Sequence, residues 1–209
     1  MKMSVLKTSE FNTNCYIILT EQKSVILVDP GDESDKILEI IKNLGGELKY
    51  ILLTHGHHDH TGAVKPLKSA YPNAIIALGE KDIDMIDNIL RNYGCVRGRK
   101  VENFEGLKQD VIVKDGDLIT VDELTFKVVE TPGHTKGGIT YICENKMFTG
   151  DTLFYESIGR SDLYGGNSET LCQSVTKLML IDGEYEVYPG HGSSSSMEHE
   201  RKNNKYVRI

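Results

Sequence analysis

The stretch LLTHGHHDHTG, residues 52–62, places four of the chain's seven histidines within six positions. It closes the apolar segment LKYILLT, so a short strand ends where the histidines begin. Along extended backbone, side chains two residues apart point to the same side, which sets His55 and His57 together. Two imidazoles so placed can grip one ion. Asp59 and His60 follow where the chain turns toward a helix, and offer an oxygen and a nitrogen to a second point nearby. His58 alternates away from its neighbours and is expected in solvent or hydrogen-bonded behind the ligands. The competing reading is a histidine-rich surface tract, and other segments must decide between the two.

Three segments supply partners. ETPGHTKGG puts His134 after a strand and a Pro-Gly turn, FTGDTLF puts Asp151 at the end of an apolar strand, and VYPGHG puts His191 in the same setting. One histidine after a strand is usually an ordinary loop residue. Three strand ends carrying His or Asp beside glycine mean more, because loops at one edge of a sheet build sites and glycine permits close backbone approach. Five histidines and two aspartates exceed the four ligands of a structural zinc site. The surplus fits two ions bridged by a shared carboxylate, with coordination left over for water.

The remaining chain reads as a layered α/β arrangement. NCYIILT and SVILVDPG are two strands joined by a short hairpin in the first 30 residues. DESDKILEIIKNLGG takes a helical period, with Ile37, Leu38, Ile41 and Leu44 on one side and Gly45-Gly46 as the stop. GAVKPLKSAYP is a helix with Pro66 in its first turn or bending it, NAIIALG a strand, and EKDIDMIDNILRNYG an amphipathic helix. DVIVKDGDLITV, LTFKVVETPGH and GGITYICENKMFTGD are strand-rich. SETLCQSVTKLMLI is a helix, and GSSSSMEHERKNNKYVRI gives one short helix and a polar tail.

At 209 residues, with no low-complexity linker, the chain reads as a single domain over 1–209. Cys15, Cys95, Cys143 and Cys172 have no paired spacing and read as free thiols, with Cys143 in the core. No secretory h-region and no run of 18 apolar residues occurs, so a soluble, cytoplasmic protein without a membrane partner is expected. A net charge of −7 argues against nucleic acid, and the basic stretch 91–100 reads as a solvated loop or a local anion contact. The expected partner is a small-molecule substrate.

THGHHDHTG resembles the HxHxDH signature of the metallo-β-lactamase superfamily. TPGHT, GDTLF, SIGRSD and PGHG resemble, in order and spacing, the further motifs of its glyoxalase II-like members, over about residues 12–200. The resemblance implies an α+β fold, an αββα sandwich of two mixed sheets flanked by helices. Carried over residue by residue, it implies His55, His57 and His134 as ligands of one ion, and Asp59, His60 and His191 as ligands of the other, with Asp151 between them. Asp59 and Asp151 are then the catalytic carboxylates. The cofactors implied are two divalent metals, zinc first, iron or manganese next, whose shared hydroxide attacks a thioester, lactam or ester carbonyl.

Two cations would acidify a shared water and stabilise the developing oxyanion, so the chemistry requires no Ser or Cys nucleophile. Asp29 in VDPG is a candidate to orient a histidine, or a turn former. Arg160 could anchor a substrate carboxylate or pair with Asp162 to brace its loop, and Tyr155 and Tyr164 are candidate pocket walls. Glyoxalase II enzymes carry a carboxyl-terminal helical domain that helps bind glutathione; here 18 residues follow His191, so no such domain is expected and a smaller or different thioester is implied. The expected function is dinuclear thioester hydrolysis. The alternatives are a mononuclear iron persulfide dioxygenase, which would use His55, His134 and Asp151, and a non-catalytic metal-binding protein.

Overall fold

The computed structural model describes residues 1–98, 100 and 104–207. β1 (Lys2–Thr8), β2 (Thr13–Leu19) and β3 (Ser24–Val28) form an antiparallel meander. The sequence reading has two strands here and passes over β1. That strand lies at the sheet edge with mostly exposed or half-exposed side chains, so its apolar alternation is weak. β2 is buried on both faces and reads as a continuous apolar run.

α1 (Ser34–Leu44) follows, buries Ile37 and Ile41, and ends at Gly45 with φ +60°. β4 (Glu47–Leu52) leads into the short α2 (His58–Thr61), then α3 (Val64–Ala70), in which Pro66 occupies the first turn. β5 (Ile75–Gly79), a 3₁₀ turn at Glu80–Asp82, the single-turn α4 (Ile83–Ile86) and β6 (Val111–Val113) complete this half. β3 to β6 run parallel, giving the order β1-β2-β3-β4-β5-β6.

The amphipathic helix expected over 80–94 is not formed beyond Ile86. Asn88 Oδ1 accepts the backbone N–H groups of Leu90 and Arg91, Asn92 Oδ1 accepts that of Gly94, and Tyr93 sits at φ +64°. These local side-chain bonds compete with the helical ladder and turn the chain. Within the basic stretch 91–100, Arg99 lies outside the described residues, while Arg91 pairs with Asp84 at 2.7 Å.

The second sheet is built from β7 (Leu118–Val121), β8 (Leu124–Glu130), β9 (Ile139–Cys143) and β10 (Lys146–Gly150). A small hairpin of β11 (Leu153–Phe154) and β12 (Ser157–Ile158) precedes α5 (Ser168–Met179). β13 (Glu186–Pro189), β14 (Ser195–Ser196) and α6 (Met197–Asn203) follow. The order is β14-β13-β10-β9-β8-β7, with β10 and β13 parallel and the other neighbours antiparallel.

Side-chain alternation produces four layers. Tyr16, Ile18, Ile26 and Leu52 meet Phe126, Val128, Tyr141 and Phe148 between the sheets. On the outer face of the first sheet, Ile17, Leu27 and Ile51 pack under Ile37, Ile41 and Leu67 of α1 and α3. On the outer face of the second, Val129, Ile142 and Met147 pack under Val175 and Leu178 of α5 and Met197 of α6. The fold is an αββα sandwich of two mixed sheets. Among the described residues, no helix is long and apolar enough to cross a membrane.

Candidate metal centre

Five strands end at one edge of this sandwich. β3 and β4 are parallel, β10 and β13 are parallel, and β8 runs with β10 through two antiparallel steps. Their carboxyl ends therefore share a rim, and they deliver in turn Asp29, the histidine cluster, His134, Asp151 and His191. The first sheet supplies four of the metal-ligand candidates and the second supplies three.

His55 Nε2 stands 3.0 Å from His57 Nδ1, and His134 Nε2 stands 2.9 Å from that same nitrogen. A second group forms beside it. His60 Nε2 is 3.3 Å from His191 Nε2, and Asp59 Oδ2 is 3.6 Å from the first and 3.3 Å from the second. Asp151 Oδ2 lies between the groups, 3.5 Å from His134 Nε2 and 3.6 Å from His191 Nε2. Ligands about 2.0–2.1 Å from a tetrahedral zinc ion stand roughly 3.3 Å apart, so both spacings suit a small divalent cation.

The donor chemistry fits too. Asp151 Oδ1 is buried without a hydrogen-bond partner, 3.4 Å from His60 Nε2. Most of the imidazoles have their far nitrogen engaged: His134 Nδ1 donates to the Arg160 carbonyl at 2.7 Å, His191 Nδ1 to the Phe11 carbonyl at 3.1 Å, and His60 Nδ1 to Asp29 Oδ2 at 2.9 Å. His55 Nδ1 lies 3.0 Å from Thr54 Oγ1, which itself donates to Asp29 Oδ2 at 2.6 Å. A nitrogen that donates on one side leaves its partner's lone pair for the ion. Asp29, His55 and His60 form a third group of ligand-type residues, but Asp29 Oδ2 is occupied by these hydrogen bonds.

Charges follow the same division. Burial, and the other histidines around them, hold His55 and His57 well below the usual imidazole pKa. Burial also disfavours charge on His60, but Asp59, Asp151 and Asp29 outweigh it and push the group up to about 10. Asp59 is buried as well, yet His60 and His191 hold it far below the carboxylate range. The negative field that His60 feels is one that a divalent cation would feel.

A cavity of about 620 Å³ opens over these groups, lined by Phe11, Tyr93, Phe154 and Leu163, with Arg160 at its wall. Arg160 makes two bonds to Asp162, at 2.7 and 2.8 Å. Tyr155 lines a smaller neighbouring cavity of about 370 Å³ and stacks on His199. Tyr164 is engaged elsewhere: its hydroxyl donates to Asp84 at 2.9 Å, and Arg91 and Lys136 both lie over its ring. His58 is buried, with Nδ1 3.1 Å from the Asn92 carbonyl.

The cavity walls Phe11, Phe154 and Leu163 escape the sequence reading, and so do Tyr93 and Asp82. Tyr93 packs edge-on to His57 and accepts the Tyr164 backbone N–H at 2.5 Å. Asp82, fully buried, accepts from Gly56, Thr135 and Gly137. Tyr93 and Asp82 both lie in the segment read as an amphipathic helix; an aspartate just after an apolar strand is the available signal for Asp82.

Comparison with known proteins points one way. The family described as the metallo-beta-lactamase superfamily matches residues 8–191. A Haemophilus influenzae protein named hydroxyacylglutathione hydrolase GloC is 32% identical over 210 residues, covering 99% of this chain and 98% of its own. The crystal structure of BLEG-1 B3 metallo-beta-lactamase superposes with a TM-score of 0.91 at 28% identity, over 98% of this chain and 99% of that one. TTHA1623 in a di-iron-bound form gives 0.86 at 29% identity, over 97% and 99%.

Proposed function

The chain belongs to the metallo-β-lactamase superfamily, and from that membership we propose that it is a dinuclear metal-dependent hydrolase acting on thioesters. His55 Nε2, His57 Nδ1 and His134 Nε2 would hold one ion, Asp59 Oδ2, His60 Nε2 and His191 Nε2 the other, with Asp151 shared. The position of Asp151 Oδ2, 3.5 Å from His134 Nε2 and 3.6 Å from His191 Nε2, carries this reading. A single ion held by His55, His134 and Asp151 would make no use of Asp59, His60 and His191, whose ligand atoms lie within 3.6 Å of one another beside it. A pair of divalent ions, when bound, supplies Lewis-acid polarisation of a carbonyl and an acidified water.

The chain's own residues do the rest. Cys15 and Cys143 are buried in the packed core, so the cavity draws no nucleophile from them. Phe11, Tyr93, Phe154 and Leu163 wall the cavity with apolar surface that excludes water from an acyl chain. Asp29 and the carbonyls of Phe11 and Arg160 fix imidazole orientation, so little reorganisation is needed at reaction. A thiol leaving group, with a pKa of about 8.5, departs with little need of a strong general acid. The hydroxyacylglutathione hydrolase name of the Haemophilus influenzae relative supports a thioester, and the di-iron relative supports two metals and keeps iron beside zinc and manganese.

The test is metal content of protein purified without added metal, followed by thiol release from a panel of thioesters. Near two equivalents of zinc, iron or a mixture, with thiol release, is the expected result. One equivalent of iron with oxygen uptake on a persulfide overturns it in favour of a mononuclear dioxygenase. Two equivalents with no turnover on any thioester, ester or lactam overturns it in favour of a metal-binding protein.

A further inference from the structure

Asp82 is a buried carboxylate outside the ligand set. It is fully shielded from solvent and stands at the end of the 3₁₀ turn after β5. Its Oδ2 accepts the Gly56 N–H at 3.0 Å and the Thr135 hydroxyl at 2.7 Å, and its Oδ1 accepts the Gly137 N–H at 2.7 Å. Gly56 separates His55 from His57, and Thr135 follows His134. One side chain thus grips, from behind, both loops that carry the three-histidine group.

The loops come this close because glycine stands at the contacts. A Cβ on Gly56 would lie 2.7 Å from the Met85 Cβ, and one on Gly137 would lie 2.5 Å from the Asp82 nitrogen and 2.8 Å from its Oδ1. All three partners of Asp82 are donors, which an ionised carboxylate satisfies and an amide cannot. Burial raises the Asp82 carboxyl above the usual carboxylate value, and the hydroxyl and two N–H groups offset part of that rise. A buried carboxylate held this way is more than filler, since leaving any of the three donors unmatched in a dry interior is expensive.

We propose that Asp82 is a positioning residue for the three-histidine site, setting the separation of the His55–His57 loop from His134 and through it the affinity for the ion they share. The inference rests on those histidines holding an ion. Asp82 makes no bond to Asp59, His60 or His191 among the described residues; His60 takes its own support from Asp29 and Asp59 from Thr13. Asp29 also reaches the three-histidine group through Thr54, whose Oγ1 lies 3.0 Å from His55 Nδ1 and donates to Asp29 Oδ2, so selectivity for one ion is asked of Asp82 and not of Asp29.

The test measures zinc content and zinc affinity by competition with a chromophoric chelator, together with the thermal midpoint of each metal-free protein. Asp82→Asn keeps the shape but turns an amide N–H toward a donor. It is expected to keep one zinc near parental affinity and to bind the other about 10–100-fold more weakly, the usual effect of removing an outer partner of a ligand. Adding His191→Ala to Asp82→Asn should remove the zinc that remained tight. Thr135→Val should weaken the same zinc, and Thr135→Ser, which keeps the hydroxyl, should restore it. If Asp82→Asn does not fold, the Thr135 pair decides alone. Variants that melt earlier without metal yet bind both zinc ions with parental affinity would reduce Asp82 to a structural brace and overturn the inference. A parent chain that binds one zinc counts against the dinuclear function; the inference is then read on that single affinity, and an unchanged value overturns it.

Discussion

Asp29 Oδ2 accepts from His60 Nδ1 at 2.9 Å, and the same oxygen accepts from Thr54 Oγ1 at 2.6 Å. The residue holds φ +51°, a region that Asn and Asp tolerate better than other side chains. Asp29→Asn therefore keeps the backbone and removes the charge. Zinc at the Asp59–His60–His191 group should bind about 10–100-fold more weakly, and the three-histidine site should weaken less, because Asp29 reaches it through Thr54 and not by a bond to a histidine of that group. Chelator competition reads this directly.

Asp151 and His191 should separate in a metal count. Asp151 Oδ2 faces both groups while His191 Nε2 faces one. Asp151→Ala is expected to lower occupancy of both sites and His191→Ala of one, measured as zinc per chain after desalting. Equal retention of metal and turnover in both variants would refute the assignment.

Gly190 and Gly192 give a paired test of space against conformation. A Cβ on Gly190 would lie 2.3 Å from Asp151 Oδ1 and 2.7 Å from His60 Cε1, whereas Gly192, at φ +77°, has nothing within 4 Å. Gly190→Ala should displace the shared carboxylate and release metal. Gly192→Ala should retain metal and lose only about 1–2 kcal/mol of stability from the left-handed backbone, seen in a denaturant titration.

Arg160 contributes two separate parts. Its carbonyl holds His134 Nδ1 at 2.7 Å, while its side chain binds Asp162 at the cavity wall. Arg160→Ala keeps the carbonyl, so metal content should stay parental. A rise in KM confined to thioesters bearing a carboxylate would assign the guanidinium to substrate; an unchanged KM would assign it to the loop.

The thiols should titrate by environment. Cys95 is exposed, whereas burial pushes Cys143 up to about 11 and Cys15 higher still. The thiolate is the reactive form, so alkylation at pH 8 should label Cys95 while Cys15 and Cys143 stay protonated and unlabelled. Labelling of Cys143 should rise only as pH approaches 11, or on unfolding. Mass mapping of labelled peptides checks this.

Much of this is legible in the sequence. Strand ends with His or Asp beside glycine mark the rim because they follow from local chain chemistry, and α1 announced itself through its apolar period and its terminal Gly45. What was hidden is what depends on distant partners. The segment after β5 has a helical pattern, but Asn88 and Asn92 capture backbone groups and Asp82 is drawn inward by loops 26 and more residues away. Tyr164 looked like a wall by its place in a loop; its neighbours Arg91, Lys136 and Asp84 come from remote segments.

The ligand candidates are divided between the two sheets, and the chain passes from one sheet to the other once, between β6 and β7. An ion shared by His55, His57 and His134 would therefore be a seam joining the two halves of the polypeptide. By mass action, free metal above its dissociation constant should add about 1.4 kcal/mol of unfolding free energy per tenfold rise in its concentration for each site filled. Metal supply would then govern the chain's lifetime against unfolding and proteolysis, and starvation for the ion would loosen one half from the other at the rim that carries the candidate ligands.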